Sequence, residues 1–156
     1  MRGDSATSRF RVSSGGFLIA LGLLSIWQPS AAANSSGVAG LALVLKADKE
    51  SYGQGEPIKL TIHVMNRRTE PVTLRFLSAQ RYDVAVKSLE GREIWRWSNG
   101  RMFAQVIGDE TFQAGTRVRI YHITMREHLP PGRYVVIGTI PAQEAVLSGS
   151  ITISIH

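Results

Sequence analysis

Short runs in which apolar and polar residues alternate recur along the chain after residue 40, and this period of two constrains the fold more than any other feature. The clearest runs have their apolar members at Ile58, Leu60, Ile62, Val64 and at Ile151, Ile153, Ile155. Because successive side chains of a strand point to opposite faces, each run predicts a β-strand with one buried and one exposed face. Helical periodicity is nearly absent from this part of the chain.

Turns rich in Gly, Pro, Asn and Glu separate the runs, as at 51–57, 66–71, 90–91 and 130–132. Roughly eight or nine short strands with turns about every 8 to 12 residues are typical of a β-sandwich. We therefore predict an all-β fold, an immunoglobulin-like antiparallel β-sandwich that forms a single domain over 41–156. The chain contains no Cys, so packing and strand pairing alone must hold this domain together.

The first 33 residues have the layout of a secretory signal peptide. Three Arg precede an apolar run, Phe17–Trp27, and the small residues Ser30–Ala33 follow it. The run is much shorter than the about 20 residues that a membrane span needs. We predict a signal peptide over 1–33 with cleavage after Ala33, a flexible lead-in over 34–40, no transmembrane span in the mature chain, and an extracytoplasmic location, secreted or in the cell envelope. The alternative is an uncleaved N-terminal segment that tethers the chain to a membrane.

The charge and the titratable residues argue against several classes of function. The chain carries a formal charge of +6, and removal of the leader, with its three Arg and one Asp, leaves +4. The Arg excess is spread along the chain and accompanies no nucleic-acid-binding motif, so we predict no nucleic-acid partner. The spacing of His63, His122, His128 and His156 matches no metal motif. Ser98 lacks the Gly-x-Ser-x-Gly context of a hydrolase nucleophile, so we predict no metal site, no cofactor and no enzymatic activity.

Two of the three Trp lie two residues apart, directly before a Ser-Asn-Gly turn. In a strand both side chains point to the same face, where they either complete the core or form a binding hot spot with neighbouring Arg side chains. Loops on rigid sandwiches commonly carry recognition, so this segment is the candidate partner-binding site. Its candidate residues are Trp95, Arg96, Trp97, Ser98, Asn99, Arg101 and Phe103. Asp83 is expected to accept hydrogen bonds from a neighbouring turn or to pair with an Arg.

The chain also resembles a known family in the order and spacing of several motifs. These motifs are Tyr52–Pro57, Val72–Phe76, Gln80–Asp83, Gly91–Ser98, Phe103 and Pro131–Tyr134. The Gln-x-Tyr-Asp element followed by Gly-x-x-x-Trp-x-Trp-Ser is the most specific of them. In these residues the chain is similar to the intracellular proteinase inhibitor (BsuPI) domain family, over roughly Leu41 to Ile140.

The resemblance implies an immunoglobulin-like sandwich and a proteinase-inhibitor role against bacterial serine proteases of the subtilisin type. Together with the export signal, it leads us to expect an exported inhibitor that blocks the cleft of such a protease. Arg101-Met102-Phe103 would then offer a long or apolar anchor to the specificity pocket. The alternative is a non-inhibitory module of the cell envelope that binds a protein or a wall polymer, since fold likeness alone does not establish function. Both interpretations leave the oligomeric state open.

Overall fold

A computed structural model describes residues 40–115, 118–144 and 146–156. The predicted signal peptide, 1–33, and all of the predicted lead-in except Gly40 lie outside these described residues. The strands are β1 Leu41–Ala47, β2 Ser51–Tyr52, β3 Ile58–Asn66, β4 Val72–Phe76, β5 Asp83–Ser88, β6 Glu93–Arg96, β7 Gly108–Phe112, β8 Val118–Met125, β9 Gly132–Pro141 and β10 Val146–Ile155. The described ranges contain strands, turns and loops but no helix, so the all-β prediction is confirmed.

The strands form three sheets. A three-stranded sheet has the order β1-β3-β8, a five-stranded sheet has the order β2-β10-β9-β5-β6, and β4 pairs with β7 in a two-stranded sheet. Among the described strands, β2 alone pairs in parallel, with Ser51 beside Ser154 and Tyr52 beside Ile155 of β10. The antiparallel prediction is therefore wrong at this one edge, because a segment that reads as the start of a turn lies along the last strand.

The two larger sheets face each other across the hydrophobic core. A Cβ atom added at Gly138 of β9 would lie 3.2 Å from the side chains of Ile62 and Leu45, and one at Gly149 of β10 would lie 2.8 Å from that of Leu43. Strands of the five-stranded sheet thus contact β1 and β3 of the three-stranded sheet, as in the predicted sandwich. The largest fully buried side chains are Tyr52, Phe76, Leu41, Leu43, Leu45, Ile58, Leu60, Ile62, Met125, Ile140, Leu147 and Ile153. The finer immunoglobulin-like assignment stays an interpretation.

The strand β7 was not predicted, because its residues, Gly-Asp-Glu-Thr-Phe, lack apolar alternation. It pairs with β4, and the last pair of this ladder joins Phe76 to Gly108. Asn66, which is buried at the end of β3, donates from Nδ2 to the Phe112 carbonyl at 2.9 Å and to the Glu70 carbonyl at 2.7 Å. These bonds join the β4–β7 pair to the sandwich. The loop that follows β4 and the loop that precedes β7 both meet the opposite end of that pair, at Phe76 and Gly108.

Candidate partner-binding site

A buried carboxylate fixes the base of the candidate site. Asp83 is 7% exposed. Its side chain accepts hydrogen bonds from the backbone N–H of Val84 at 2.8 Å and from that of Ser98 at 3.1 Å. It also accepts from the Ser98 hydroxyl at 2.8 Å and from Nη1 of Arg96 at 2.9 Å. These contacts confirm the structural role predicted for Asp83, and they hold the end of β6 and the following turn against β5.

Arg96 connects this carboxylate to Glu93 at the exposed start of β6. Its Nε donates to Oε1 of Glu93 at 3.0 Å while its Nη2 pairs with Oε2, so the contact is bidentate. Hydrogen bonding to Glu93, and then to Asp83, raises the pKa of Arg96. The hydrogen bond from Arg96 in turn lowers the pKa of Glu93. The charge of Arg96 is therefore balanced within the molecule.

Trp95 and Trp97 lie on the core side of the five-stranded sheet. Trp95 is opposite Val86, and the Trp97 N–H donates to the Val84 carbonyl at 2.8 Å. Both Val side chains are fully buried, and residues opposite each other on neighbouring strands share a face. Both Trp side chains accordingly pack, half-buried, against the core. The core role considered for them is confirmed, although β6 ends at Arg96 and Trp97 is the first residue of the turn.

Four aromatic side chains form a continuous row from β8 to the loop after β6. Ring centroids are 5.1 Å apart between Tyr121 and Tyr82, 4.4 Å between Tyr82 and Trp97, and 5.8 Å between Trp97 and Phe103. The tilted arrangement of these pairs is a favourable one for aromatic rings. Burial raises the pKa of Tyr82 and of Tyr121, and the nearby Glu110 raises that of Tyr121 further. The aromatic row is therefore uncharged near neutral pH, and it connects the loop to the sandwich.

A tight turn leads from β6 into a loop over residues 97–107. The Arg101 N–H donates to the Ser98 carbonyl at 3.1 Å, and Gly100 has a φ of 72°, which residues with a Cβ rarely adopt. The Arg101 side chain folds back over this turn. Its Nε donates to the Trp97 carbonyl at 2.8 Å, and its guanidinium lies 4.3 Å from the centre of the Trp97 ring. This cation–π contact and the hydrogen bond together fix the first half of the loop.

The side chain of Met102 projects from the loop between two anchored neighbours. Met102 is 99% exposed, whereas Phe103 is half-buried against the ring of Trp97. The Ala104 carbonyl then accepts a hydrogen bond from the Ala79 N–H at 2.8 Å. The backbone is thus held on both sides of Met102, while the Met102 side chain itself is in contact with solvent.

The loop between β4 and β5 runs beside the 97–107 loop. The side chain of Arg81 holds the β4–β5 loop in place through several contacts. Nη1 of Arg81 donates to the Ser78 carbonyl at 2.6 Å, and the guanidinium lies 4.6 Å from the centre of the Phe76 ring. Nε of Arg81 lies 3.7 Å from Glu110, which also pairs with Arg119 at 3.1 Å. Glu110 therefore joins the β4–β5 loop to β7 and β8.

Exposed apolar side chains occur on both of these loops. Leu77 directly follows the last residue pair of the β4–β7 ladder, and Ile107 directly precedes it. Leu77, Val106 and Ile107 are 57%, 62% and 65% exposed. We call these three residues together with Met102 the apolar rim. Leu77 and Ile107 adjoin at the end of the β4–β7 ladder, and exposed apolar groups that adjoin are typical of a surface that binds another protein.

The Ser98 hydroxyl of the candidate site is placed as a support for the turn. The Ser98 hydroxyl donates to Asp83, and no His joins that hydrogen-bonded group in the part of the chain that the structure describes. Within residues 40–115, 118–144 and 146–156, no three His, Cys, Asp or Glu side chains are grouped so that they could hold a metal ion. An acyl-transfer site needs a nucleophile hydrogen-bonded to a base, and Ser98 instead supports the turn.

The seven predicted site residues form two groups. The base of the loop is formed by Trp95, Arg96, Trp97 and Ser98, and the loop itself contains Asn99, Arg101 and Phe103. Asn99 lies exposed in the turn. Their role in binding a partner stays a prediction. The rim residues Leu77, Val106 and Ile107 were missed, and only the unpredicted pairing of β4 with β7 brings Leu77 and Ile107 together.

The fold and the site define a small β-sandwich domain in which loops, rather than sheet faces, present the groups available for recognition. The family model of the intracellular proteinase inhibitors, BsuPI, matches residues 45–145, which is more than half of the chain. The chain therefore belongs to this family, as its motifs indicated. The family description suggests a proteinase-inhibitor role, with a protease as the partner and no enzymatic activity of its own.

Several solved structures are similar in fold to this chain. The crystal structure of the C-terminal domain of wzt is similar, with a TM-score of 0.53 and 15% identity over 83% of this chain and 80% of that one. Spo0M, a sporulation control protein from Bacillus subtilis, has a TM-score of 0.48 and 18% identity over 76% of this chain and 50% of that one. A CARDB domain from Pyrococcus furiosus has a TM-score of 0.46 and 14% identity over 74% of this chain and 87% of that one. At such identity the likeness to the wzt domain shows a shared fold and nothing about function.

No curated protein has a significant sequence match to this chain. Among the residues that the structure describes, no helix has the length and apolar character that crossing a membrane requires.

Proposed function

We propose that this protein is an exported inhibitor of a subtilisin-like serine protease, and that it acts by placing the 97–107 loop in the protease cleft. The observation that carries the proposal is the 99% exposure of Met102 between neighbours that are both anchored on Trp97. Membership in the proteinase-inhibitor family supports the inhibitory role. The secretory pattern of residues 1–33 supports export.

An inhibitor differs from a substrate in how firmly its loop is held. A loop that is already ordered loses less conformational entropy on binding, so more of the contact energy remains as affinity. Arg101 and Phe103 hold the backbone on either side of Met102 through the same Trp97 side chain and carbonyl. After cleavage beside Met102 these contacts would keep both new ends together. Products that stay in place dissociate slowly and continue to block the cleft.

Titration against a panel of serine proteases tests this function. The full chain, with its leader, is expressed in a bacterium, and the mass of the purified product shows whether cleavage has occurred after Ala33. Residual activity of subtilisin-like and trypsin-like proteases is then measured at increasing inhibitor concentration, and intact mass is followed in parallel. We expect stoichiometric inhibition of a subtilisin-like protease and slow loss of the intact chain.

The same titration separates inhibition from the alternative function. Inhibition through a packed loop should change little between low and high salt, whereas binding to a charged wall polymer should weaken steeply as salt screens the charges. If the purified chain inhibits no protease of the panel, the inhibitor proposal is wrong and a non-inhibitory envelope module takes its place.

A further inference from the structure

We propose that Met102 is the side chain that enters the specificity pocket of the target, and that the target is therefore a protease with a deep apolar pocket. This inference rests on the proposed inhibitor function and deepens it. Three residues would offer an anchor, Arg101, Met102 and Phe103. Arg101 and Met102 are both exposed, but of the three only Met102 has a side chain that is not held on Trp97.

Arg101 and Phe103 are both held on Trp97. To enter a pocket, Arg101 would have to give up its 2.8 Å hydrogen bond to the Trp97 carbonyl and its stacking on the ring. Phe103 would have to leave the same ring, and with it the aromatic row that continues through Tyr82. Met102 can enter a pocket while Arg101 and Phe103 keep their contacts with Trp97, because its side chain is almost wholly exposed.

The chemistry of Met102 identifies the kind of pocket. Its side chain is unbranched, flexible and polarizable, so it fills a narrow apolar pocket well and adapts to its shape. A pocket with a carboxylate at its base selects a cation. An uncharged thioether in such a pocket would leave that carboxylate buried without a partner, which is unfavourable. The nearest cation, Arg101, is stacked on Trp97 and directed away from such a pocket. The geometry thus favours proteases with apolar pockets over trypsin-like ones.

The rest of the apolar rim extends the contact with the same protease. One Met side chain cannot supply the roughly 800 Å² that each partner buries in a standard complex. The hydrogen bond from Ala79 to Ala104 keeps the segment that carries Leu77 beside the one that carries Val106 and Ile107. Val106 and Ile107 lie later in the same loop as Met102, and Leu77 lies on the β4–β5 loop beside them. In this proposal the three side chains stay outside the pocket, so they add affinity without selecting between pockets.

Substitution of Met102 in the purified full chain tests this inference. Met102→Ala and Met102→Lys are titrated against a subtilisin-like protease with an apolar pocket and against a trypsin-like protease with an Asp in its pocket. We expect both variants to raise the inhibition constant for the apolar-pocket protease at least about tenfold. Met102→Lys should in addition gain inhibition of the trypsin-like protease. Analysis of slow cleavage by mass should place the cut after Met102.

Two control variants make the result specific. Leu89→Ala removes an equally large exposed apolar side chain, 56% exposed, on the distant β5–β6 turn, and it should inhibit like the wild type. Ile107→Ala should weaken inhibition without changing the preference between the two proteases. Urea unfolding midpoints of the Met102 variants should match the wild type, because an exposed side chain adds little to stability.

The outcomes separate this inference from the function on which it rests. If the wild type inhibits a protease and both Met102 variants inhibit it equally well, Met102 is not the pocket residue and the inhibitor function stands. A cut located away from Met102 has the same meaning. If the wild type inhibits neither protease, the proposed function fails, and the assignment of Met102 fails with it.

Discussion

Replacement of Asp83 by Ala should destabilise the domain strongly. Its carboxylate is the common acceptor for two backbone N–H groups, the Ser98 hydroxyl and Arg96. Ala at this position leaves these donors without their acceptor at a site where only 7% of the residue is exposed. The expected result is a loss of stability together with a loosened start of the 97–107 loop.

The size of the stability loss depends on which of these donors can hydrogen-bond to water once the carboxylate is removed. Breaking a buried ion pair by removing one partner costs about 3–5 kcal/mol. The Arg96 side chain is 34% exposed and retains Glu93, so its share of that cost falls toward the small value of surface pairs. Each neutral donor left unsatisfied adds about 1–3 kcal/mol where water is excluded. The three neutral donors sum to about 3 kcal/mol, at the lower end of this range, because Ser98 is partly exposed and its two donors can hydrogen-bond to water. This loss corresponds to a Tm about 12 °C lower for a domain of this size.

Urea unfolding followed by Trp fluorescence measures this loss directly. With a slope of about 2 kcal/mol/M, the midpoint should fall by about 1.5 M. Glu93→Ala is the matched control, because it removes the other carboxylate that pairs with Arg96 but one that lies exposed on β6. It should shift the midpoint little. If Asp83→Ala lowers the midpoint no more than Glu93→Ala, the reasoning that the buried acceptor holds this region is wrong.

Two further predictions concern the sandwich itself. Burial lowers the pKa of His63 from 6.5, with Lys46 and His122 adding to the effect, so the unfolded chain binds a proton at higher pH than the folded one. Stability should be full above about pH 6.5 and fall as the pH drops through the folded pKa, and His63→Gln should flatten this dependence in urea midpoints measured from pH 5 to 8. Gly149→Ala should cost about 1–3 kcal/mol through overpacking, since its Cβ would lie 2.8 Å from Leu43. Gly53→Ala, whose Cβ would meet only a carboxylate oxygen at 3.9 Å, should leave the thermal unfolding temperature nearly unchanged, and equal effects of the two would contradict the packing argument.

Most strands of the two larger sheets could be predicted because they bury one face, β2 being the exception. The alternation of Ile58, Leu60, Ile62 and Val64 marks β3, and all four side chains are buried. In β5 the alternation does not coincide with burial, because Asp83 and Ala85 are buried together with Val84 and Val86. Arg96 lies opposite Ala85 and reaches Asp83, so its side chain covers this face of the sheet. The pattern of apolar residues cannot show that a face is buried by the long side chain of a neighbouring polar residue.

The strand pairing and the ring contacts that form the site join segments distant in sequence. Local sequence patterns predict such contacts poorly. β7 consists mostly of polar residues and forms a strand because β4 and Asn66 supply its partners. Without that strand, the sequence gives no reason to place Leu77 beside Ile107. The Trp pair, by contrast, was found readily, because two large aromatic residues before a turn stand out in any sequence. The aromatic row could not be foreseen, since it joins residues from three separate segments.

The absence of Cys gives the base of the loop its importance. A disulfide can fix a projecting loop, but this chain has no Cys and must hold residues 97–107 by other means. A disulfide would fix one point of the backbone, whereas here Asp83 fixes the entry of the loop, Trp97 fixes both flanks of Met102, and Ala79 fixes the exit. Each of these contacts is weak compared with a covalent bond, but they bind neighbouring points of one short segment, so each limits the motion that would open the others. Rigidity of that kind is what a loop needs if a protease is to bind it tightly and release it slowly.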